Sequence, residues 1–175
     1  MDRYFAFIDE SRNGRYTLCL LRVSSANLVE FRKTMLSLRL KGQRRFHMKN
    51  ESDQRRREIL STLNSLPDWD ALVLQSNKNS KVTPETRQQL FLLMAQHQAW
   101  QSVAELVVEE STDSLRDRKT LTWLMNNGAH QFRYSFKKPS QDPGLWAADG
   151  VVWAFAKGGV WRDAISDRVQ HVVAP

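Results

Sequence analysis

A chain of 175 residues suits one domain, residues 1–175, and at that size folding can hide roughly 70% of the surface exposed by the unfolded chain, so no staple is required. With 41% hydrophobic and 26% charged residues and no run near the ~20 apolar residues of a membrane span, the composition excludes a spanning helix, and no membrane partner is expected. The single cysteine, Cys19, excludes an intrachain disulfide and a thiolate zinc site, while a net charge of +7 and a pI near 9.9 favour a polyanionic partner such as nucleic acid.

The first predicted strand, Tyr4-Phe5-Ala6-Phe7-Ile8, is apolar on both faces, as a central strand covered by helices must be, and it ends in Asp9-Glu10-Ser11. The residues before it lack the long apolar stretch and small-residue cleavage site of a secretory signal, so a cytoplasmic location is expected. Asn13-Gly14 is a two-residue turn signal, and Arg15 to Val23 is its hairpin partner, with Cys19 as an inert core thiol. Ser25 is the expected cap of a helix over Ala26 to Leu38, and a basic connector then leads to a short strand over Arg45 to Lys49. Glu51 to Leu66 reads as a helix, Trp69 to Gln75 as a strand, and Thr83-Pro84 as the start of a helix reaching about Trp100.

Val103 to Glu109 is the next strand, and Ser114 caps a helix through Asn126 that Asn127-Gly128 stops. A polar strand from Gln131 to Phe136 precedes Asp142-Pro143, which opens a helix containing Asp149 and ending near Lys157-Gly158-Gly159. Trp161 to Pro175 has no clear period and fits a helix or a docked tail. A hairpin followed by alternating helices and strands, with connections long enough for parallel pairing, predicts an α/β fold: one mixed sheet with helices on its faces.

Two carboxylates stand where charge is costly. Asp9 emerges at the tip of a buried strand, and Asp149 interrupts the apolar stretch from Gly144 to Phe155, on the same helical stripe as Leu145, Val152 and Trp153. Burying an unpaired carboxylate costs several kcal/mol, so Asp149 requires an arginine or lysine, a set of backbone donors, or a metal cation. The strand through Leu106-Val107-Val108 also ends in acids, Glu109-Glu110, and nothing in the sequence chooses between them. Should the late helix cross the strand tips, with Ala147, Ala148 and Gly150 permitting close approach, Asp9, Asp149 and one of those glutamates share a pocket. Carboxylates gathered in this way repel, and hard oxygen ligands suit Mg²⁺ or Mn²⁺, two of which about 3.5–4 Å apart serve phosphodiester hydrolysis.

Basic residues crowd between Arg39 and Arg57, and among them Arg44, Arg45, His47 and Lys49 are the candidate nucleic-acid contacts; a solvated face is the plainer reading. The histidines show no zinc spacing, the tryptophans sit in apolar stripes that read as core, and Gly158-Gly159 lacks the pattern of a phosphate loop.

The opening Phe7-Ile8-Asp9-Glu10-Ser11, the hairpin after it, and the late Ser140 followed by Ala148-Asp149-Gly150-Val151-Val152 resemble a bacterial and phage family called domain of unknown function 3800. That family is RNase H-like, and the resemblance, which spans most of the chain in motif order, implies a first strand ending in a catalytic aspartate and a last helix supplying another. Carried over, it implies catalytic roles for Asp9, Glu10 and Asp149 and for Glu109 or Glu110, with Asp9, Glu109 and Asp149 as the metal ligands. It also implies a second acid on a strand beside the first. Trp69 to Gln75 ends without one, so if that strand is the neighbour, Glu109 lies one strand further out. Glu51 resembles the family's charged mid-chain segment loosely. The expected function is a Mg²⁺- or Mn²⁺-dependent nuclease acting on RNA or DNA. The alternatives are a nucleic-acid-binding or partner-binding module without the chemistry, and a basic structural domain.

Overall fold

The computed structural model describes residues 3–77, 81–128 and 130–175. β1 (Tyr4–Ser11) and β2 (Thr17–Ser24) form the predicted hairpin, whose turn contains Gly14 at the left-handed φ of 75° that glycine tolerates without cost. Pairing continues as far as Ser11 opposite Thr17, so Asp9 and Glu10 lie inside the ladder rather than beyond it.

At Ser24 the chain leaves the sheet, and it returns beside its point of departure. The Ser24 N–H donates to the Asp68 carbonyl at 3.0 Å, and Val23 pairs with Trp69, so β3 (Trp69–Gln75) runs antiparallel to β2. The excursion contains α1 (Leu28–Ser37) and α2 (Asp53–Ser65). α1 follows Asn27 rather than Ser25, and the Asn27 amide donates to Ser24 Oγ and to Asp68 instead of capping the helix. Between the helices, the alternation read as a strand over Arg45 to Lys49 is real: Phe46 and Met48 are fully buried, while Arg45 and His47 are half-buried. Among the described residues no strand pairs with this segment, and it ends in a 3₁₀ turn at Met48–Asn50. It is an extended segment docked by its side chains, with Phe46 edge-on to Trp146 at 5.6 Å.

α3 (Pro84–Gln96) stops short of Trp100, because Gln98–Ser102 tightens into a 3₁₀ turn whose Ala99 N–H donates to the His97 ring. β4 (Val103–Glu109), α4 (Ser114–Asn127), β5 (Arg133–Lys137) and α5 (Pro143–Lys157) follow close to the predicted bounds. The segment without a period becomes the short α6 (Gly159–Asp163) and then β6 (Val169–Val173), an edge strand parallel to β3.

The six strands form one mixed sheet in the order β5-β4-β1-β2-β3-β6, with β4 parallel to β1 and β5 parallel to β4. Because side chains alternate along a strand, Phe7, Leu21, Val73 and Val107 face one layer with α1, α2 and α5, while Ile8, Leu20, Leu72 and Val108 face α3 and α4. The point of closest approach between α5 and the sheet is Gly144, not Gly150. A Cβ at Gly144 would stand 2.2 Å from the fully buried Phe7 ring, whereas at Gly150 it would meet nothing nearer than Leu60 at 3.9 Å.

The start of α5 is fixed by Asp142, which is 2% exposed. Its carboxylate accepts from Arg32 at 2.6 and 3.0 Å, from Lys137 at 3.0 Å and from the Gly144 N–H at 3.0 Å. Burial opposes ionisation here, but those donors outweigh it and hold the Asp142 carboxyl below the usual range.

Gly144→Ala is expected to cost about 1–3 kcal/mol by overpacking against Phe7, and Gly150→Ala to stabilise by about 0.5–1 kcal/mol through helix propensity; urea denaturation of the two variants reads both signs. Asp142→Ala is expected to cost about 3 kcal/mol, because it strands Arg32 and removes the cap. That contribution is present above the unfolded carboxyl pKa of about 3.9 and lost as pH falls through the lower folded value, so the gap between wild type and variant closes only in acid.

Candidate active site

Ile8 pairs with Val108, so Asp9 and Glu109 follow in step at the carboxyl ends of adjacent parallel strands. Both share the face of Phe7 and Val107, the face that α5 crosses, and α5 turns Asp149 towards them. β4, not β3, is therefore the acid-bearing neighbour of β1, with β3 on the far side of β2. Strand parity also separates the two glutamates: Glu109 is half-buried with Asp9, while Glu110 is exposed and uses its N–H on the Lys137 carbonyl.

Burial, then the charges of Asp149 and Glu109, push the Asp9 carboxyl well above the ordinary carboxylate range. Glu109 adds to that upward shift by direct side-chain interaction with Asp9, and Asp9 Oδ1 accepts the Glu10 N–H at 2.7 Å. Desolvation likewise raises Glu109 and Asp149, opposed by the positive field of Arg45 and by His47. The partner that Asp149 demands comes from the docked segment between α1 and α2: the Met48 N–H donates to Oδ2 at 2.9 Å, and His47 Nε2 lies 3.4 Å from Oδ1.

Among the described residues, no three His, Cys, Asp or Glu groups stand at metal-binding spacing. The donor set nevertheless fits a hard divalent cation. It consists of carboxylate oxygens, two of the three acids are buried, and the set carries a mutual repulsion that a cation would relieve.

Glu10 is not brought to this pocket. It turns to the opposite face, where its carboxylate takes hydrogen bonds from the Tyr16 hydroxyl, Arg87 and, at 3.0 Å, Arg12. Arg87 is also bidentate to Asp117 at 2.9 and 2.7 Å, and both are buried. This network between α3 and α4 has a sequence signal of the same kind as Asp149. Arg87 shares a buried helical stripe with Leu90, Phe91 and Met94, and Asp117 shares one with Thr120 and Leu121.

The basic residues also divide. Arg45 and His47 face the acids, and Arg44 and Lys49 are exposed beside them. Arg55 is tied to Glu58, Glu51 and the Leu38 carbonyl, and Arg56 to Asp53 and the carbonyls of Met48 and Lys49, so both hold the docked segment in place. Glu51, paired with Gln43 and Arg55, belongs to the same scaffold.

No protein-family model matches the chain, and no curated protein matches it significantly in sequence, so the resemblance to domain of unknown function 3800 stands on its motifs. Solved structures do match. One is the PCNA:RNase HII complex from Archaeoglobus fulgidus, with a TM-score of 0.57 and 17% identity over 94% of this chain and 75% of that one. Another is ribonuclease H2 from Pyrococcus horikoshii OT3, with a TM-score of 0.59 and 12% identity over 94% and 74%. A mutant of Bst-RNase HIII aligns with a TM-score of 0.50 and 12% identity over 95% and 53%. At such identities the likeness is one of architecture, and the chain has an RNase H-like fold: a single α/β domain with a six-stranded mixed sheet flanked by helices.

Proposed function

We propose that this protein is a divalent-metal-dependent nuclease that hydrolyses phosphodiester bonds of RNA or DNA, acting in the cytoplasm. The observation that carries the reading is the convergence of Asp9, Glu109 and Asp149 where β1 and β4 end against α5. A net charge of +7 and an RNase H-like fold, shared with proteins that are ribonucleases by name, support nucleic acid as the substrate class. No described helix is long and apolar enough to cross a membrane.

Asp9, Glu109 and Asp149 would hold Mg²⁺ or Mn²⁺, which when bound supplies Lewis acidity at a phosphoryl oxygen and a water of lowered pKa. The chain's own groups keep the acids in place. The Met48 N–H fixes one oxygen of Asp149, and the Glu10 N–H fixes one oxygen of Asp9, so neither carboxylate is free to turn. Arg45 and the half-buried His47 border the pocket, and the exposed Arg44 and Lys49, their neighbours in the chain, would contact the phosphates of the substrate.

Purified protein is expected to cleave at least one of labelled RNA, single-stranded DNA, duplex DNA or RNA–DNA hybrid in Mg²⁺ or Mn²⁺ and none of them in chelator. Asp9→Asn and Asp149→Asn should each lower the rate about a hundredfold or more with unchanged circular dichroism. Full activity in both variants overturns the assignment, and salt-dependent binding without cleavage in either metal selects the binding-module alternative.

A second expectation concerns stability. The raised pKa of Asp9 means that folding loses stability as pH rises through the folded value, because the ionised form is the disfavoured one. In chelator at pH 8, Asp9→Asn should therefore raise Tm, by about 2–4 °C for each kcal/mol of repulsion relieved. A lower Tm for the variant would show that the three acids do not repel as described.

A further inference from the structure

A chain of side-chain contacts links the segment that holds Asp149 to a cleft that the proposed chemistry does not use. One helical turn beyond Asp149, on the same side of α5, stands Trp153, with the Arg56 guanidinium 4.6 Å from its ring centre. Arg56 also donates to the carbonyls of Met48 and Lys49, in the segment that grips Asp149. Trp153 meets Trp161 of α6 edge-on at 5.2 Å, and Arg57 lies 5.3 Å from the Trp161 ring centre. Beside that pair, α2 and α6 enclose a cleft of about 390 Å³, floored by Leu60 and bordered by Arg57, Ser61, Asn64, Val160 and Trp161.

The bonding of Arg57 sets it apart from its neighbours. Arg55 and Arg56 spend their donors on carboxylates and carbonyls, whereas among the described residues none gives Arg57 a hydrogen bond or an ion pair. Its side chain is exposed, and its only contact of note is the face of Trp161. Asn64 donates its amide N–H to the Ala164 carbonyl at 2.9 Å, and its carbonyl oxygen remains an available acceptor on a residue that lines the cleft together with Ser61. An aromatic face, an uncommitted guanidinium and a pair of short polar groups are what an unpaired nucleotide needs: stacking for the base, charge for the phosphate, and donors and acceptors for the base edge.

We infer that this cleft binds an unpaired nucleotide of the substrate strand, with Arg57 moving from the Trp161 face to the phosphate and the base stacking on the ring it leaves. One turn of α5 is about 5.4 Å, so Trp161 lies roughly 11 Å from the acids along this path, on the order of three stacked nucleotides from the bond to be cut. The inference rests on nucleic acid being the substrate, but it is independent of whether the acids cleave it.

The test is binding without chemistry. Fluorescently labelled single-stranded RNA and DNA 12-mers are titrated with the full chain in chelator, reading anisotropy and tryptophan quenching. Arg57→Ala and Trp161→Ala are each expected to weaken binding of at least one of the two strands about tenfold, and Trp161→Phe to retain most of it. Trp123→Ala, which removes a ring 56% exposed on α4 in the other layer, should bind as wild type does. Blunt duplex DNA, with no unpaired base, should not distinguish wild type from Arg57→Ala. Because Arg57 is exposed and unpaired, its variant remains decisive even where Trp161→Ala disturbs the fold. Wild-type affinity in Arg57→Ala overturns the cleft, as does wild-type affinity in a folded Trp161→Ala or wild-type protein that binds neither strand. Binding through the cleft without cleavage in Mn²⁺ would remove the nuclease reading and leave this one standing, whereas cleavage with unchanged affinity in the variants would do the reverse.

Discussion

The arrangement depends on one hydrogen bond, from the Met48 N–H to Asp149. An ionised carboxylate on a helix as apolar as α5 is desolvated at a cost of several kcal/mol, which this donor, with His47 and Arg45 beside it, offsets in part. The backbone donor does so without cancelling the charge, as an arginine hydrogen-bonded to it would have done. To present it, the chain must leave the sheet at Ser24, cross the α5 face, and bury Phe46 and Met48 as anchors before returning at Asp68. Arg55, Arg56 and Glu51, which in sequence look like part of a generic basic stretch, hold that crossing in register.

Neighbouring acids at the tip of β1 meet opposite fates because a strand alternates its faces. Glu10 turns into a network in which Arg87, Tyr16 and Arg12 donate to it and Asp117 holds Arg87, and burial lifts the Tyr16 hydroxyl pKa so that it stays a donor. Asp9 turns the other way, into a pocket where its closest charged companions are acids. One side of the sheet is electrostatically resolved and the other is left in conflict, with Arg45 and His47 only moderating it. Repulsion of that kind is unfavourable for folding alone, and a cation bound on that face would relieve it.

Much of this was legible in the residues. The doubly apolar β1, the Asn13-Gly14 turn, the bounds of β3 and β4, and the Asp142-Pro143 start of α5 follow from local patterns that the packing does not override. That Asp149 requires a compensating partner was likewise readable, because a carboxylate on an apolar stripe is costly, whereas its meeting with Asp9 was open on the condition that α5 cross the strand tips. What the sequence left open was settled by pairing. Which strand lies beside β1, and hence that Glu109 rather than Glu110 faces Asp9, depends on contacts between segments far apart in the chain. The segment around His47 alternates like a strand but has no ladder, since alternation reports a buried side and an exposed side and says nothing of a hydrogen-bonded neighbour. The tail misled for a related reason: β6 is short and exposed at most positions, as sheet edges are, so its period is faint.

That edge has a consequence for how the molecule is made. β3 is apolar along its length, and its outer backbone groups are covered by β6, from Ala71 opposite Val169 to Gln75 opposite Val173, with the Ala174 N–H reaching the Gln75 carbonyl. During synthesis, about a hundred residues separate the emergence of the one strand from that of the other, roughly five to twenty seconds at ordinary translation speeds. Throughout that interval the nascent polypeptide presents an unpaired, sticky ribbon to its surroundings, so early ribosomal release or a chaperone's grip would decide its yield well before the pocket is ever assembled.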